Sequence, residues 1–391
     1  MIKQDRQTRA RINPHLKAAL KVFVPLRIMA SLWAVIIISL FPATTEIEHV
    51  PTDLAVSAPH DSALSTWLIK PWFRWDTQWY TAIARNGYER PGSTTFLPFY
   101  PLLTGLLGRM LAGEYLLAAL IISNLAAVIA LALLHKLVSE HYGRRSANYT
   151  LAYIALFPTS FYLVAGYTES LFLALVLGAF LLAERERWLL AGLCAILAIF
   201  TRWQGAALIP AMAIYMLRND RRALVALGLI PLALIGVLAI FVISGGVEAL
   251  PWRQLQTEQA WQGSFTWPWR AWAKTGLALV GQLPDNKKAI RVPANWVLTA
   301  VFYALLVKYM RHGIIPYTMY AWGAHLMTAS RLVADSTLRS MPRYVLVLFP
   351  AFVLLAGFGK RHIWFNKVYV YISMFMWLIL CSMFVLWYWP A

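Results

Sequence analysis

Apolar residues gather in long blocks separated by short polar turns, and these blocks set the plan of the chain. The first covers 22–41 and is interrupted by Arg27. Others fall near 115–138, 148–165, 169–183, 188–201, 205–217, 223–243, 294–310, 314–330, 344–358 and 368–388. A run of about 20 apolar residues spans a bilayer, so the pattern predicts an all-α polytopic membrane protein with about 11 transmembrane helices. Several blocks are short enough to be shifted or broken. A further apolar stretch, 96–112, contains Pro98, Pro101 and Arg109. Those residues favour a short interfacial or re-entrant helix over a crossing.

The charges give this plan an orientation. Lys3, Arg6, Arg9, Arg11, Lys17 and Lys21 come before the first block, which is too long for a cleaved signal and reads as a retained anchor. The short turns carry Arg144 and Arg145, Arg185 and Arg187, Arg218, Arg221 and Arg222, Lys308 and Arg311, and Lys360, Arg361 and Lys367. Simple alternation of spans puts all of them on one side. The positive-inside rule then makes 1–21 a cytoplasmic N-terminus and the long loops 43–112 and 244–293 extracytoplasmic. No internal repeat or detachable soluble segment interrupts 1–391, which reads as one membrane-embedded domain.

Composition excludes a soluble protein, since 60% of residues are hydrophobic, 13% are charged and the mean hydropathy is +0.58. The net charge of +18 is concentrated in the short turns, which points to membrane lipids as partners and not to nucleic acid. Cys194 and Cys381 both lie inside apolar runs and imply no disulfide. The histidines show no metal-ligand spacing, and no phosphate-loop, dinucleotide, serine-elbow or HExxH pattern falls in a usable context.

Candidate chemistry centres on 73–80, Phe-Arg-Trp-Asp-Thr-Gln-Trp-Tyr. Asp76 is a lone acid among Trp75, Trp79 and Tyr80. A poorly hydrated carboxylate of this kind is a candidate general base, with Arg74, Trp75, Gln78 and Tyr80 as candidate substrate contacts. An interfacial aromatic belt around one solvated acid is the plainer alternative. Glu169 follows Tyr167 at an outer turn, either as a helix-terminal acid capped by Thr168 or as a substrate ligand beside Asp76. Arg202 and Gln204 lie at another outer break. Arg331, Arg339 and Arg343 precede a late helix, where arginines suit a lipid-linked phosphate or diphosphate, or ordinary anionic headgroups. The second outer loop brings Gln262 together with Trp252, Trp261, Trp267, Trp269 and Trp272, whose indoles suit sugar faces or headgroup anchoring.

Taken in order, several motifs are familiar. Trp75-Asp76 with Trp79-Tyr80, Ile83-Ala84 and Gly87-Tyr88 resembles the first luminal loop of the PIG-V family of GPI mannosyltransferases. The same holds for Phe96-Leu97-Pro98-Phe99-Tyr100-Pro101, Phe157-Pro158-Thr159-Ser160-Phe161, Tyr167-Thr168-Glu169-Ser170-Leu171-Phe172, and Arg202 followed by Gly205. The resemblance covers about 70–210, with a looser match over 339–350. It implies a GT-C glycosyltransferase fold, an acid in the first outer loop and a polyprenyl-phosphate sugar donor. Short loops and compact basic ends look closer to bacterial relatives, which make no GPI anchors. That implies a bacterial plasma membrane in preference to the ER, and leaves the glycolipid or glycan acceptor open.

The resulting expectation is an inverting glycosyltransferase, with mannose the expected sugar and the active site extracytoplasmic. Asp76 would deprotonate the acceptor. Arg202 and Arg343, with Arg339 behind them, would face the leaving phosphate, while Tyr167, Glu169, Gln78 and Gln262 orient sugar or acceptor. No cofactor is required; if a divalent metal were used, Asp76 and Glu169 would be the acids near it. The rival readings are a transporter or flippase of lipid-linked sugars, and a ligase or polymerase of lipid-linked glycans. Transport is disfavoured because the acids sit in loops or at helix ends, not at mid-membrane.

Overall fold

A computed structural model describes residues 13–41, 62, 65–219, 235–236, 238–239, 241–242, 247–251, 253, 263–281, 291–333, 336–338 and 340–389. Helix α1 (Pro14–Leu40) starts where Asn13 Oδ1 accepts a hydrogen bond from the His15 amide at 2.9 Å, with Pro14 in the first turn. That arrangement satisfies amides left free at a helix start. Ala19, Leu26, Ala30, Ala34 and Ile37 face inward, whereas Leu16, Leu20, Val24, Ile28, Leu32 and Ile36 are exposed at every fourth position. An apolar stripe facing outward on an already apolar helix suits lipid as its solvent. Arg27 turns inward: its Nη1 donates to the Val164 carbonyl at 3.2 Å and its guanidinium stands 5.2 Å over the Trp72 ring.

Helix α2 (Asp76–Asn86) and helix α3 (Phe99–Met110) form a short pair. A Cβ at Gly105 would lie 2.8 Å from the Ala84 carbonyl oxygen, so only glycine permits this approach. At 12 residues α3 is about 18 Å long, too short to cross a bilayer core of about 30 Å. Helix α4 (Tyr115–Tyr142) follows and runs through the centre. Its buried face of Ala118, Ala119, Ser123, Ala126, Ala127 and Ala130 lets α1, α5 (Arg144–Leu156) and α6 (Glu169–Ala183) pack closely against it. Helix α7 (Trp188–Thr201) packs on α6, and α8 (Leu208–Asn219) continues the bundle.

The later half supplies α9 (Pro268–Gly281), α10 (Arg291–His312), α11 (Ile315–Ala329), α12 (Met341–Tyr344), α13 (Phe349–Arg361) and α14 (Ile363–Val385). Strands β1 (Gly263–Phe265), β2 (Arg331–Val333) and β3 (Ser336–Thr337) pair antiparallel in the order β1-β2-β3, with Phe265 opposite Arg331. Apart from this small sheet the described elements are helical, as the all-α expectation has it. The sheet ties the second outer loop to the segment leading into α12.

Among the described residues, α1, α4 and α14 are long and apolar enough to cross a membrane. A fourth candidate is 341–347 with 349–361, bent by 83° at Leu348 beside Pro350. These candidates fit a multi-pass membrane protein; among the described residues up to four spans stand out by length and composition, against the 11 expected from hydropathy. Helices α6 and α7 have 15 and 14 residues, about 21–23 Å at 1.5 Å per residue. Nearly all of α6 is buried by protein, so its hydropathy reports core packing and not contact with lipid. The block 148–165 breaks because Pro158 stops α5, after which 160–163 forms a tight turn. Another break falls at extended Arg202, after which the 203–207 turn runs directly into α8. Most of the expected span 223–243 lies outside the described residues.

Candidate active site

The chain enters α2 through a strained residue. Trp75 has φ 55° and ψ −120°, a conformation costly for a non-glycine residue and found mainly where surrounding structure enforces it. Its ring packs edge-on against Trp387 and Trp389, at centroid distances of 6.1 and 5.2 Å. From the other side, the Tyr167 hydroxyl donates to the Arg74 carbonyl at 3.2 Å and accepts from the Asp76 amide at 3.3 Å. Thr77 Oγ1 donates to the Gly166 carbonyl at 3.3 Å. The 165–168 loop therefore clamps the first turn of α2 and fixes the direction of Asp76.

That loop is itself held by buried polar groups. Ser123 Oγ on α4 donates to the Tyr167 carbonyl at 2.7 Å and shares a 2.8 Å bond with the Tyr100 hydroxyl. Ser170 Oγ reaches back to the Leu163 carbonyl at 2.7 Å, and Trp377 Nε1 on α14 donates to Ser160 Oγ at 3.0 Å. Thr159 Oγ1 donates to the Pro342 carbonyl at 2.6 Å, tying the loop to α12. Burial, reinforced by the charge of Asp76, raises the Tyr167 phenol well above its ordinary range, so it acts as a neutral donor.

These ties bring four charged side chains from distant parts of the sequence into one alternating chain. Arg343 donates through Nη1 to Asp76 Oδ2 and through Nε to Glu169 Oε1. The same Glu169 Oε1 also accepts from Arg202 Nη1 at 2.5 Å, and Arg202 Nη1 reaches Thr168 Oγ1 at 3.0 Å. Aromatic faces line the arginines: Arg343 lies 4.6 Å from the Tyr167 ring centroid and Arg202 lies 5.2 Å from that of Tyr344. Two carboxylates and two guanidinium groups balance, so the cluster carries no surplus charge into a dry interior. Side-chain exposure is 0% for Glu169, 4% for Arg343 and 6% for Arg202, but 19% for Asp76. Asp76 is thus the member of the cluster that solvent reaches most readily.

The other residues singled out from the sequence divide by position. Tyr80 is buried one turn after Asp76, its hydroxyl 3.4 Å from Thr168 Oγ1, and burial together with the Asp76 charge keeps it protonated well above the usual range. Gln78 is buried on the same helix with Nε2 lacking a partner among the described residues. Arg74 spends its donors on the carbonyls of Val385, Lys70 and Phe73 at 2.9, 3.0 and 3.1 Å, with Trp387 4.3 Å beneath it. These bonds fasten the loop to the end of α14, and burial pulls the Arg74 guanidinium down to about 9. Gln204 Nε2 donates to Thr328 Oγ1 at 3.3 Å, away from the carboxylates. Gln262 and Arg339 lie outside the described residues.

Thr168 occupies the N-cap position of α6 but does not cap it; its hydroxyl serves Arg202 instead. Sequence reasoning did not single out Tyr162 and Tyr344, whose rings flank the arginines at 5.3 and 5.2 Å. The signal was present, since Tyr344 follows Arg343 directly and Tyr162 directly follows the Phe157–Phe161 motif. A divalent ion bridging Asp76 and Glu169 does not fit this arrangement, because Arg343 already bridges them.

Residues 98–245 match the family described as dolichyl-phosphate-mannose-protein mannosyltransferase. That segment includes Glu169 and Arg202 but neither Asp76 nor Arg343. The chain is 29% identical over 204 residues to GPI alpha-1,6-mannosyltransferase 2 of Cricetulus griseus, covering 50% of this chain and 41% of the hamster protein. It is 32% identical over 119 residues to GPI mannosyltransferase 2 of Yarrowia lipolytica, covering 30% of this chain and 33% of that protein. The chain thus spans less than half the length of the curated relatives it matches. Among solved structures, ArnT from Cupriavidus metallidurans bound to undecaprenyl phosphate aligns with 84% of this chain and 60% of its own, at 16% identity and a TM-score of 0.46. The Archaeoglobus fulgidus oligosaccharyltransferase aligns with 93% of this chain and 53% of its own, at 14% identity and a TM-score of 0.42. The sequence matches make the chain a distant homologue, over about half its length, of GPI alpha-1,6-mannosyltransferase 2, with 98–245 similar to the dolichyl-phosphate-mannose-protein mannosyltransferase family.

Proposed function

We propose that the chain is an inverting glycosyltransferase that moves mannose from a polyprenyl-phosphate donor to a glycolipid or glycan acceptor on the extracytoplasmic face of a bacterial plasma membrane. The observation that carries this reading is the position of Asp76: the most exposed member of a buried, charge-balanced cluster, on a strained turn clamped from both sides. Asp76 accepts the proton of the acceptor hydroxyl as that oxygen attacks the anomeric carbon. The carbon–oxygen bond to the lipid phosphate breaks with inversion, and the phosphate departs as a stable anion needing little protonation.

In-line displacement puts base and leaving group on opposite faces of the sugar ring. A guanidinium bonded to Asp76 therefore belongs to the base side. Arg343 holds and orients Asp76, while Glu169 and Arg202 fix Arg343 from behind. Charge for the leaving phosphate falls to Arg339, in the segment just before α12. Gln78 and Tyr80 present a buried amide and a neutral phenol beside Asp76, suited to sugar hydroxyls.

The test supplies the protein in detergent with a short-chain polyprenyl-phosphate mannose and a panel of lipid-linked and free glycosides. Formation of a new glycosidic product supports the reading. Movement of the donor across liposome membranes with no product would replace it with a flippase.

A further inference from the structure

The face of α2 that carries Asp76 does not end there. Trp79, Ile83 and Asn86 follow at helical spacing on the same side, and with Ala82 and residues of the 87–93 turn they line a pocket of about 240 Å³. At 1.5 Å per residue, Ile83 and Asn86 lie roughly 10–15 Å along the helix from Asp76. The pocket runs from Trp79, about one turn from Asp76, out to Asn86, so most of its occupant lies beyond the group undergoing reaction.

The pocket is built, not incidental. Trp79 is stacked on Phe96 with centroids 5.3 Å apart and planes inclined by 18°, and the Arg90 guanidinium stands 4.7 Å over the Trp79 ring. The Ser93 amide donates to the Arg90 carbonyl at 3.0 Å, closing a turn with Gly92 at φ 85° that sets Arg90 and Ser93 side by side. Ser93 is 1% exposed and its hydroxyl has no hydrogen-bond partner among the described residues, although the residue lines the pocket. A buried hydroxyl without a partner is disfavoured, and a ligand hydrogen bond removes that penalty.

The lining also selects the chemistry. Glu89 and Arg90 both line the pocket and cancel in charge, which disfavours a phosphate or other anion. Asn86, Ser93, Glu89 and Arg90 together offer donors and acceptors around an indole, as a neutral polyhydroxylated ring requires. The volume falls below the roughly 300–1,000 Å³ of pockets for drug-sized ligands and suits one ring. We infer that this pocket holds a sugar unit of the acceptor next to, or one beyond, the unit being glycosylated at Asp76. The assignment to the acceptor rests on the proposed glycosyl transfer; the binding of sugar does not.

Saturation-transfer NMR separates the two, because it reads binding without turnover. The probes are methyl α-mannoside, methyl α-glucoside and a mannobiose, added to the full chain in a detergent with no sugar headgroup. Wild type and Asp76→Asn should give the same saturation transfer to at least one probe. Ala82→Trp, which fills the pocket, should abolish it, and Ser93→Ala should weaken affinity roughly two- to ten-fold, the range of one hydrogen bond. Should Ala82→Trp fail to fold, Asn86→Ala at an exposed position gives a second reading, with weakened binding expected. No binding of any probe to wild type, or equal binding by wild type and the folded pocket variants, overturns the proposal. Binding with the expected losses but no transfer activity would refute the enzyme reading and leave the sugar site standing.

Discussion

Replacing Glu169 by Gln tests whether the four-charge cluster is a unit. Glutamine keeps the shape of Glu169 but removes its charge, leaving Arg343 and Arg202, both almost fully buried, with Asp76 as the remaining carboxylate. One buried positive charge is then uncompensated, a change that typically destabilises a protein by about 3–5 kcal/mol. Removing Arg202 as well, in Glu169→Gln with Arg202→Met, restores neutrality, because Arg343 and Asp76 still pair. The double variant should therefore be more stable than the sum of the single changes predicts, with a coupling of about 1–3 kcal/mol. Reversible unfolding in mixed micelles, followed by tryptophan fluorescence, measures all four corners of the cycle. Additive effects within about 0.3–0.5 kcal/mol would refute the claim that the cluster acts as one electrostatic unit.

Gly105→Ala drives a methyl group against the Ala84 carbonyl at 2.8 Å, so α2 and α3 must separate. It should cost about 1–3 kcal/mol and lower kcat through displacement of Asp76, read by unfolding and transfer assays side by side. The raised Tyr80 phenol has a definite sign: both folded and unfolded forms are protonated below about pH 10, and above it the unfolded chain alone ionises. Wild-type stability should fall above that pH more steeply than that of Tyr80→Phe, as measured by melting temperature between pH 8 and 11. Because Arg343 occupies the space between Asp76 and Glu169, transfer should be unchanged by EDTA; loss of activity restored by a divalent ion would contradict the proposed site.

Much of the site was legible in the sequence, residue by residue. Asp76, Glu169, Arg202 and Arg343 each stood out because a charge among apolar or aromatic neighbours needs a reason. Their mutual arrangement was not legible, because residues 76, 169, 202 and 343 meet only through the packing of α2, α6, α7 and α12. The arginines were expected to face phosphate, yet both contact carboxylates, and a sequence does not report which opposite charge a buried guanidinium finds first. Arg74 illustrates a different limit: it neighbours Asp76 in the sequence, but its donors fasten a loop to α14. The span count was legible only in part, for a physical reason too. Hydropathy registers apolar residues alike whether lipid or protein covers them, and α6 is covered by protein.

The most direct measurement is single-turnover mannosyl transfer by wild type and Asp76→Asn at matched donor occupancy, with donor binding measured separately. Asparagine keeps the size of Asp76 and can still take a hydrogen bond from Arg343, but it cannot accept the acceptor's proton. Transfer should fall by about 10²–10⁴, the usual contribution of a general base, while donor binding stays within a few-fold of wild type. Transfer by Asp76→Asn at the wild-type rate would show that Asp76 is not the base.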